Sequence, residues 1–209
     1  MLERLRVHPV LVGVVGVYYV GFLALGLATG NTQVPYYAIF MGVLLGLVAY
    51  WDSRRRFSNL VLWGMALWGA LHMAGGMIPI SGNRVLYNLW LLPFIRFDHV
   101  VHAIGFGFAG MAFWESVRHT VDRSVASGAA ITMMGGLGFG ALNEMVEFLI
   151  TRVVPDTNIG EFENTGWDLV ANTIGAGLAA LWVRRRWTRQ GPERISTEAL
   201  TASIPTAGR

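Results

Sequence analysis

An all-α bundle of about six membrane-spanning helices is the fold class predicted by three features of the sequence. Of its 209 residues, 54% are hydrophobic and only 14% charged, with a mean hydropathy of +0.47, well above that of a soluble domain of this length. Six segments are apolar over the roughly 20 residues needed to cross about 30 Å of hydrocarbon. The arginines gather on alternate flanks of those segments, as topology anchors do.

The first span, Pro9–Ala28, follows Arg4 and Arg6 and ends in small residues, which gives it the outline of a secretory signal. Its apolar run exceeds the ~7–15 residues of a signal core, so it reads as an uncleaved signal-anchor helix. Spans two and three, Val34–Trp51 and Asn59–Ile80, are separated by Arg54, Arg55 and Arg56. Residues 81–97, SGNRVLYNLWLLPFIRF, are apolar and aromatic but interrupted by Arg84, Asn88, Pro93 and Arg96. That pattern predicts an amphipathic or re-entrant piece along the outer interface.

Spans four to six are Asp98–Val117, Val125–Ile150 and Trp167–Trp182. The acidic loop between the last two holds a D-x-N-x-G run at 156–160. Its glycine is fifth rather than sixth and no twelfth ligand follows, so it reads as an ordinary loop and not a calcium site. Tryptophans 51, 90, 114, 167, 182 and 187 lie near span ends, where indoles anchor at headgroups. Glycines 135, 136, 138 and 140 have no preceding strand and no following lysine, so they serve helix packing and not a phosphate. One transmembrane domain covers 1–189, and the polar segment 190–209 predicts a disordered cytoplasmic tail.

Thirteen arginines, at 4, 6, 54–56, 118, 123, 184–186, 189, 194 and 209, fall on one set of flanks and only Arg84, Arg96 and Arg152 on the other. By the positive-inside rule both termini are cytoplasmic, in a multi-pass protein of a bacterial or archaeal plasma membrane. The high pI of about 9.7 therefore implies no nucleic-acid partner, because the basic residues flank apolar spans and do not line one soluble surface. With no cysteine in the chain, disulfides and thiolate metal sites are excluded.

Ionisable residues inside spans are costly and face a bundle interior or a wet cavity. Here they are His72 in span three, Asp98, His99 and His102 in span four, Glu144 and Glu147 in span five, and Asp168 in span six, with Asn143 and Asn172 beside them. At 1.5 Å per residue all lie within roughly 12 Å of the outer boundary. Asp98 and His102 are four apart, Glu144 and Glu147 three, and Asp168 and Asn172 four, so each pair shares one helix face. Small residues continue those faces: Gly105 and Ala109, Gly136 and Gly140, and Gly175 and Ala179. They predict close contact among the last three spans, opening outward into one polar pocket with Asp98 at its rim. His99 points about 100° away from Asp98 and belongs at the interface.

The order D-x3-H, E-x2-E, D-x3-N-x2-G, carried by Asp98/His102, Glu144/Glu147 and Asp168/Asn172/Gly175, resembles the YjdF-like family of bacterial inner-membrane proteins. More loosely it is similar to the VanZ-like proteins, which tend to have glutamine where this chain has Glu147. The resemblance covers spans four to six, implies a membrane bundle and carries no reaction with it.

Carboxylates and imidazole on facing helices are how bundle metal sites are built. Asp98, His102, Glu144, Glu147 and Asp168 are the candidate ligands of a divalent metal ion. Glu144, Glu147 and His102 are the candidate catalytic groups, and Asn172 and His72 the candidate substrate contacts. The bland alternative is an interhelical hydrogen-bond network. Such bonds contribute about 0.6 kcal/mol each and at most ~1.7, against about 2.5–3.5 kcal/mol to insert each ionisable group, so scaffolding alone is a poor account of the cluster. Three classes stay open: an acid/base or metal-dependent enzyme acting on a lipid-linked or amphiphilic substrate, a carrier or binding protein for a small polar solute or cation, and an accessory protein with a structural polar network.

Overall fold

The computed structural model describes residues 2–82, 84–121, 124–153 and 162–201. The D-x-N-x-G run at 156–160 and the end of the predicted tail, 202–209, lie outside the described residues. A short helix, α1 (Leu2–Val7), leads into α2 (Pro9–Ala28), whose first residue is a proline. Proline suits that position because its missing N–H has no intrahelical acceptor there. Next come α3 (Val34–Arg55), α4 (Asn59–Met77), α5 (Phe97–Val117), α6 (Val125–Val153) and α7 (Phe162–Thr201).

Helices α2 to α6 are long and apolar enough to cross a membrane. The sixth predicted span lies within α7, where Asp168 and Asn172 dilute the apolar run. At 40 residues α7 is about 60 Å long, twice the hydrocarbon thickness. Helix therefore also occupies 190–201, the first part of the segment whose composition predicts a disordered tail.

Span three ends sooner than the sequence predicts, at Met77 and not Ile80. Ile78 is extended at φ −84°, ψ 113°, the conformation that Pro79 imposes on the residue before it. The interfacial piece is neither a helix nor a re-entrant loop. It is a pair of antiparallel hairpins, β1 (Pro79–Ser81) with β2 (Arg84–Val85) and β3 (Trp90–Leu92) with β4 (Ile95–Arg96), joined by one 3-10 turn at Leu86–Asn88. Pairing the strands satisfies backbone groups that an extended chain over the bundle would leave open.

Helices α5, α6 and α7 pack most closely on one another; α4 joins α5 and α2, while α3 packs on α2 and α4. Close approach depends on glycine. A Cβ on Gly175 would run into the Ala103 backbone, one on Gly136 would sit 2.6 Å from the Phe106 carbonyl, and one on Gly140 would strike Asn172. The face of α5 differs from the expected one. Gly107 and Gly110 meet Gly175 and Gly136, while Gly105 lies under the Trp68 indole of α4. Replacing Gly175 by leucine is expected to lower stability by about 1–3 kcal/mol or more, because backbone cannot yield to the new side chain. Gly138→Leu, with open space around it, should be silent; thermal unfolding of both variants in detergent checks this.

At the opposite end from the hairpins, Arg4 grips Asp52 through two hydrogen bonds of 3.0 and 2.9 Å, and Asp52 also accepts the Phe57 N–H at 2.9 Å. Glu115 accepts the Ser58 N–H at 2.8 Å and its hydroxyl at 2.7 Å, fixing the residue that caps α4. These acids are structural.

Candidate functional site

His102 sits where α5, α6 and α7 converge. Its Nδ1 lies 3.1 Å from Asn172 Oδ1 and 3.4 Å from Glu144 Oε1. Its Nε2 lies 3.6 Å from Asp98 Oδ1 and 4.0 Å from Glu147 Oε1. Nδ1 thus faces the oxygens of Asn172 and Glu144 and Nε2 those of Asp98 and Glu147, so acceptors surround both ring nitrogens. The sequence therefore brings together on three helices the residues its spacing paired on single faces.

The cluster has two tiers. Asp98, His102 and Glu147 line a cavity of about 390 Å³ together with Asn143 and Asn164. Glu144, Asp168 and Asn172 lie behind it and not in its wall, at 7%, 0% and 0% exposure. The expected single pocket lined by all of them is thus corrected: close packing of Gly140 on Asn172 and of Gly175 on the Ala103 backbone draws α6, α7 and α5 together behind the cavity wall. Asn172, expected as a substrate contact, instead holds the His102 ring.

Side-chain amides serve the acids. Asn143 donates to Glu147 Oε1 at 2.7 Å, and Asn164 donates to Asp168 Oδ2 and, at 3.5 Å, to Asp98 Oδ2. Arg96 Nη2 stands 3.6 Å from Asp98. Yet both oxygens of Glu144, Oδ1 of Asp168 and Nδ2 of Asn172 are buried without a hydrogen-bond partner among the described residues.

Two overlapping groups have ligand-bearing atoms all within 4.8 Å of one another: Asp98, His102 and Asp168, and His102, Glu144 and Glu147. The 3.4, 3.6 and 4.0 Å separations are too long for good hydrogen bonds. Two atoms each about 2.1 Å from a shared tetrahedral ion stand about 3.4 Å apart, the separation of His102 Nδ1 and Glu144 Oε1, while the 3.6 and 4.0 Å pairs fall on the other ring nitrogen. Unpartnered carboxylate oxygens are what such a cation would occupy.

His72 does not join the His102 cluster. It lines the opposite wall of the same cavity, with Nδ1 2.6 Å from the Tyr87 hydroxyl. Tyr87 comes from the turn between the hairpins and plugs into the bundle over Gly75. Burial pushes its phenol well above the ordinary value, so it stays a donor at neutral pH. His99 caps the start of α5, accepting the Arg96 N–H at 3.2 Å, and stacks on Trp167.

A family model described as predicted membrane protein (DUF2238) matches residues 10–189. The chain belongs to this family. No curated protein and no solved structure matches it. Membership agrees in outline with the YjdF-like resemblance, and nothing supports the VanZ-like one. In this DUF2238 member the family match spans every helix that contributes to the site.

Sequence reasoning missed Asn164, Tyr37 and Tyr87. Asn164 stands four residues before Asp168, the same spacing that paired the other site residues, but it falls in a stretch read as loop. Tyr37 and Tyr87, which both pack their rings on His72, carry no charge and no periodic signal that would have marked them.

Proposed function

We propose that this is a multi-pass protein of the cell membrane whose polar pocket faces outward, holds a divalent ion and acts on the headgroup of a lipid-linked or amphiphilic substrate. The observation that carries the reading is His102 shared between two ligand groups, beside buried carboxylate oxygens of Glu144 and Asp168 that accept no hydrogen bond among the described residues. His102, Glu144 and Glu147 form the preferred metal set, with Asp98 and Asp168 as the adjoining acids. Imidazole with carboxylates suits manganese, iron or zinc. Glu147 and His102 face the cavity and are the groups placed to take or give a proton there; His72 and Tyr87 supply polar contacts across from them.

An amphiphile fits the rest of the cavity. Ile39 and Val43 of α3 and Val146 and Ile150 of α6 flank it, while the ring contact between these two helices lies at Trp51 and Phe139. Ile39, Val43 and Val146 are exposed on the outside of the bundle. A headgroup at Glu147 would leave its chain running out between these helices into lipid.

One observation favours a carrier as the second reading. A smaller cavity of about 180 Å³ lies toward Arg4 and Asp52, walled by α2, α3 and α4, and Trp68 belongs to the walls of both cavities. Metal content of the purified protein tests the chemistry, and sidedness tests the location. The native chain has no cysteine background, so a membrane-impermeant thiol reagent is expected to label Ser81→Cys in intact cells and to leave Ser53→Cys unlabelled. Labelling of Ser53→Cys alone would turn the pocket to the cytoplasmic side.

A further inference from the structure

The cavity wall opposite the acids is aromatic. Tyr36, Tyr37, Phe40, Trp68 and Tyr87 all line it, and four of these rings surround His72 at centroid distances of 5.3 to 5.8 Å. Asp98 and Glu147 face them. Among the described residues the lining includes no arginine, and the chain has no lysine. A bare anionic headgroup would therefore meet carboxylates with no cationic side chain in the wall to bind it.

Ring faces and carboxylates together favour a cation. Aromatic cages recognise quaternary ammonium through the negative faces of their rings, most strongly where the cation is desolvated. The apolar flanks Ile39, Val43 and Val146 then suit a tail.

From this combination we infer that the pocket selects an amphiphile whose headgroup carries an ammonium group, seated between the aromatic wall and Asp98 and Glu147. The inference rests on the site reading above and narrows its substrate class. A cavity of about 390 Å³ is of the size that encloses such a headgroup with the first part of its chain.

The test uses the full-length protein in maltoside micelles, which contain no ammonium lipid. Binding of octyltrimethylammonium is compared with that of its carbon isostere, in which a quaternary carbon replaces the nitrogen, and with octyl phosphate. The ammonium compound is expected to bind about tenfold more tightly than the isostere and more tightly than the phosphate. Trp68→Leu should reduce that preference, and Tyr37→Phe, which keeps a ring in place, should retain it. Equal binding of cation and isostere, a preference for octyl phosphate, or an undiminished preference in Trp68→Leu would overturn the inference. The wild-type comparison needs no variant to fold. Metal content measured on the same samples separates the two claims: a metal-bearing protein without the preference overturns this inference alone, and a metal-free protein that keeps the preference supports it while removing the metal.

Discussion

Purified His102→Ala is expected to unfold at the same temperature with and without added divalent ions, while the wild type gains stability from them. His102 belongs to both candidate ligand groups, so no alternative set of described residues replaces it. A ligand that binds only the folded state, present at a hundred times its dissociation constant, adds about 2.7 kcal/mol; loss of the site removes that increment. The alanine leaves Asn172 without its 3.1 Å hydrogen-bond partner Nδ1, which costs a further ~1–3 kcal/mol. Both terms have the same sign in the presence of ions. In chelator only the second remains, so the two separate by measuring unfolding under each condition.

Replacing Glu147 by glutamine and by leucine should split charge from shape. Glutamine keeps an oxygen for the Asn143 amide that now donates at 2.7 Å, and it removes one of two carboxylates a helical turn apart. Two such acids in a poorly solvated site repel unless a cation lies between them. Glu147→Gln is therefore expected to lose bound metal yet to be at least as stable as the wild type in chelator. Glu147→Leu loses the metal as well and leaves the Asn143 donor unpaired, at a cost of about 1–3 kcal/mol. Elemental analysis and thermal unfolding of the pair read both effects. A glutamine variant that retains its ion would show that Glu147 is not a ligand.

The legibility of this chain follows from where energy leaves a mark on sequence. Crossing hydrocarbon takes length and apolarity, so the first five spans were readable to within a few residues, and Pro79 marks the one early stop through backbone sterics. Helix α7 was readable only over Trp167–Trp182, because its continuation in polar residues has no hydropathy signal. The hairpins were hidden because strands of two or three residues are too short for alternation to show.

At the site, each ionisable residue stands out by its insertion cost and each pair by its helical spacing, which is why Asp98, His102, Glu144, Glu147 and Asp168 were found. What spacing on single helices does not supply is the neighbour. Gly105 and Ala109 fit a small face toward the last two helices, yet the Gly105 site is filled by the Trp68 indole. The division into a cavity wall and a sealed inner tier depends on the same three-helix geometry. Neutral contributors such as Tyr87, reaching in from a turn, become visible only once the chain is folded.

A cation held by His102 and its surrounding acids has a stoichiometry that can be counted. Elemental analysis of the wild-type protein, purified without chelator in mild detergent, tests it most directly. About one divalent ion per chain is predicted, retained through gel filtration and missing from His102→Ala prepared in parallel. Wild-type protein without a stoichiometric ion, and with an unfolding temperature unmoved by added manganese, iron or zinc, would contradict it.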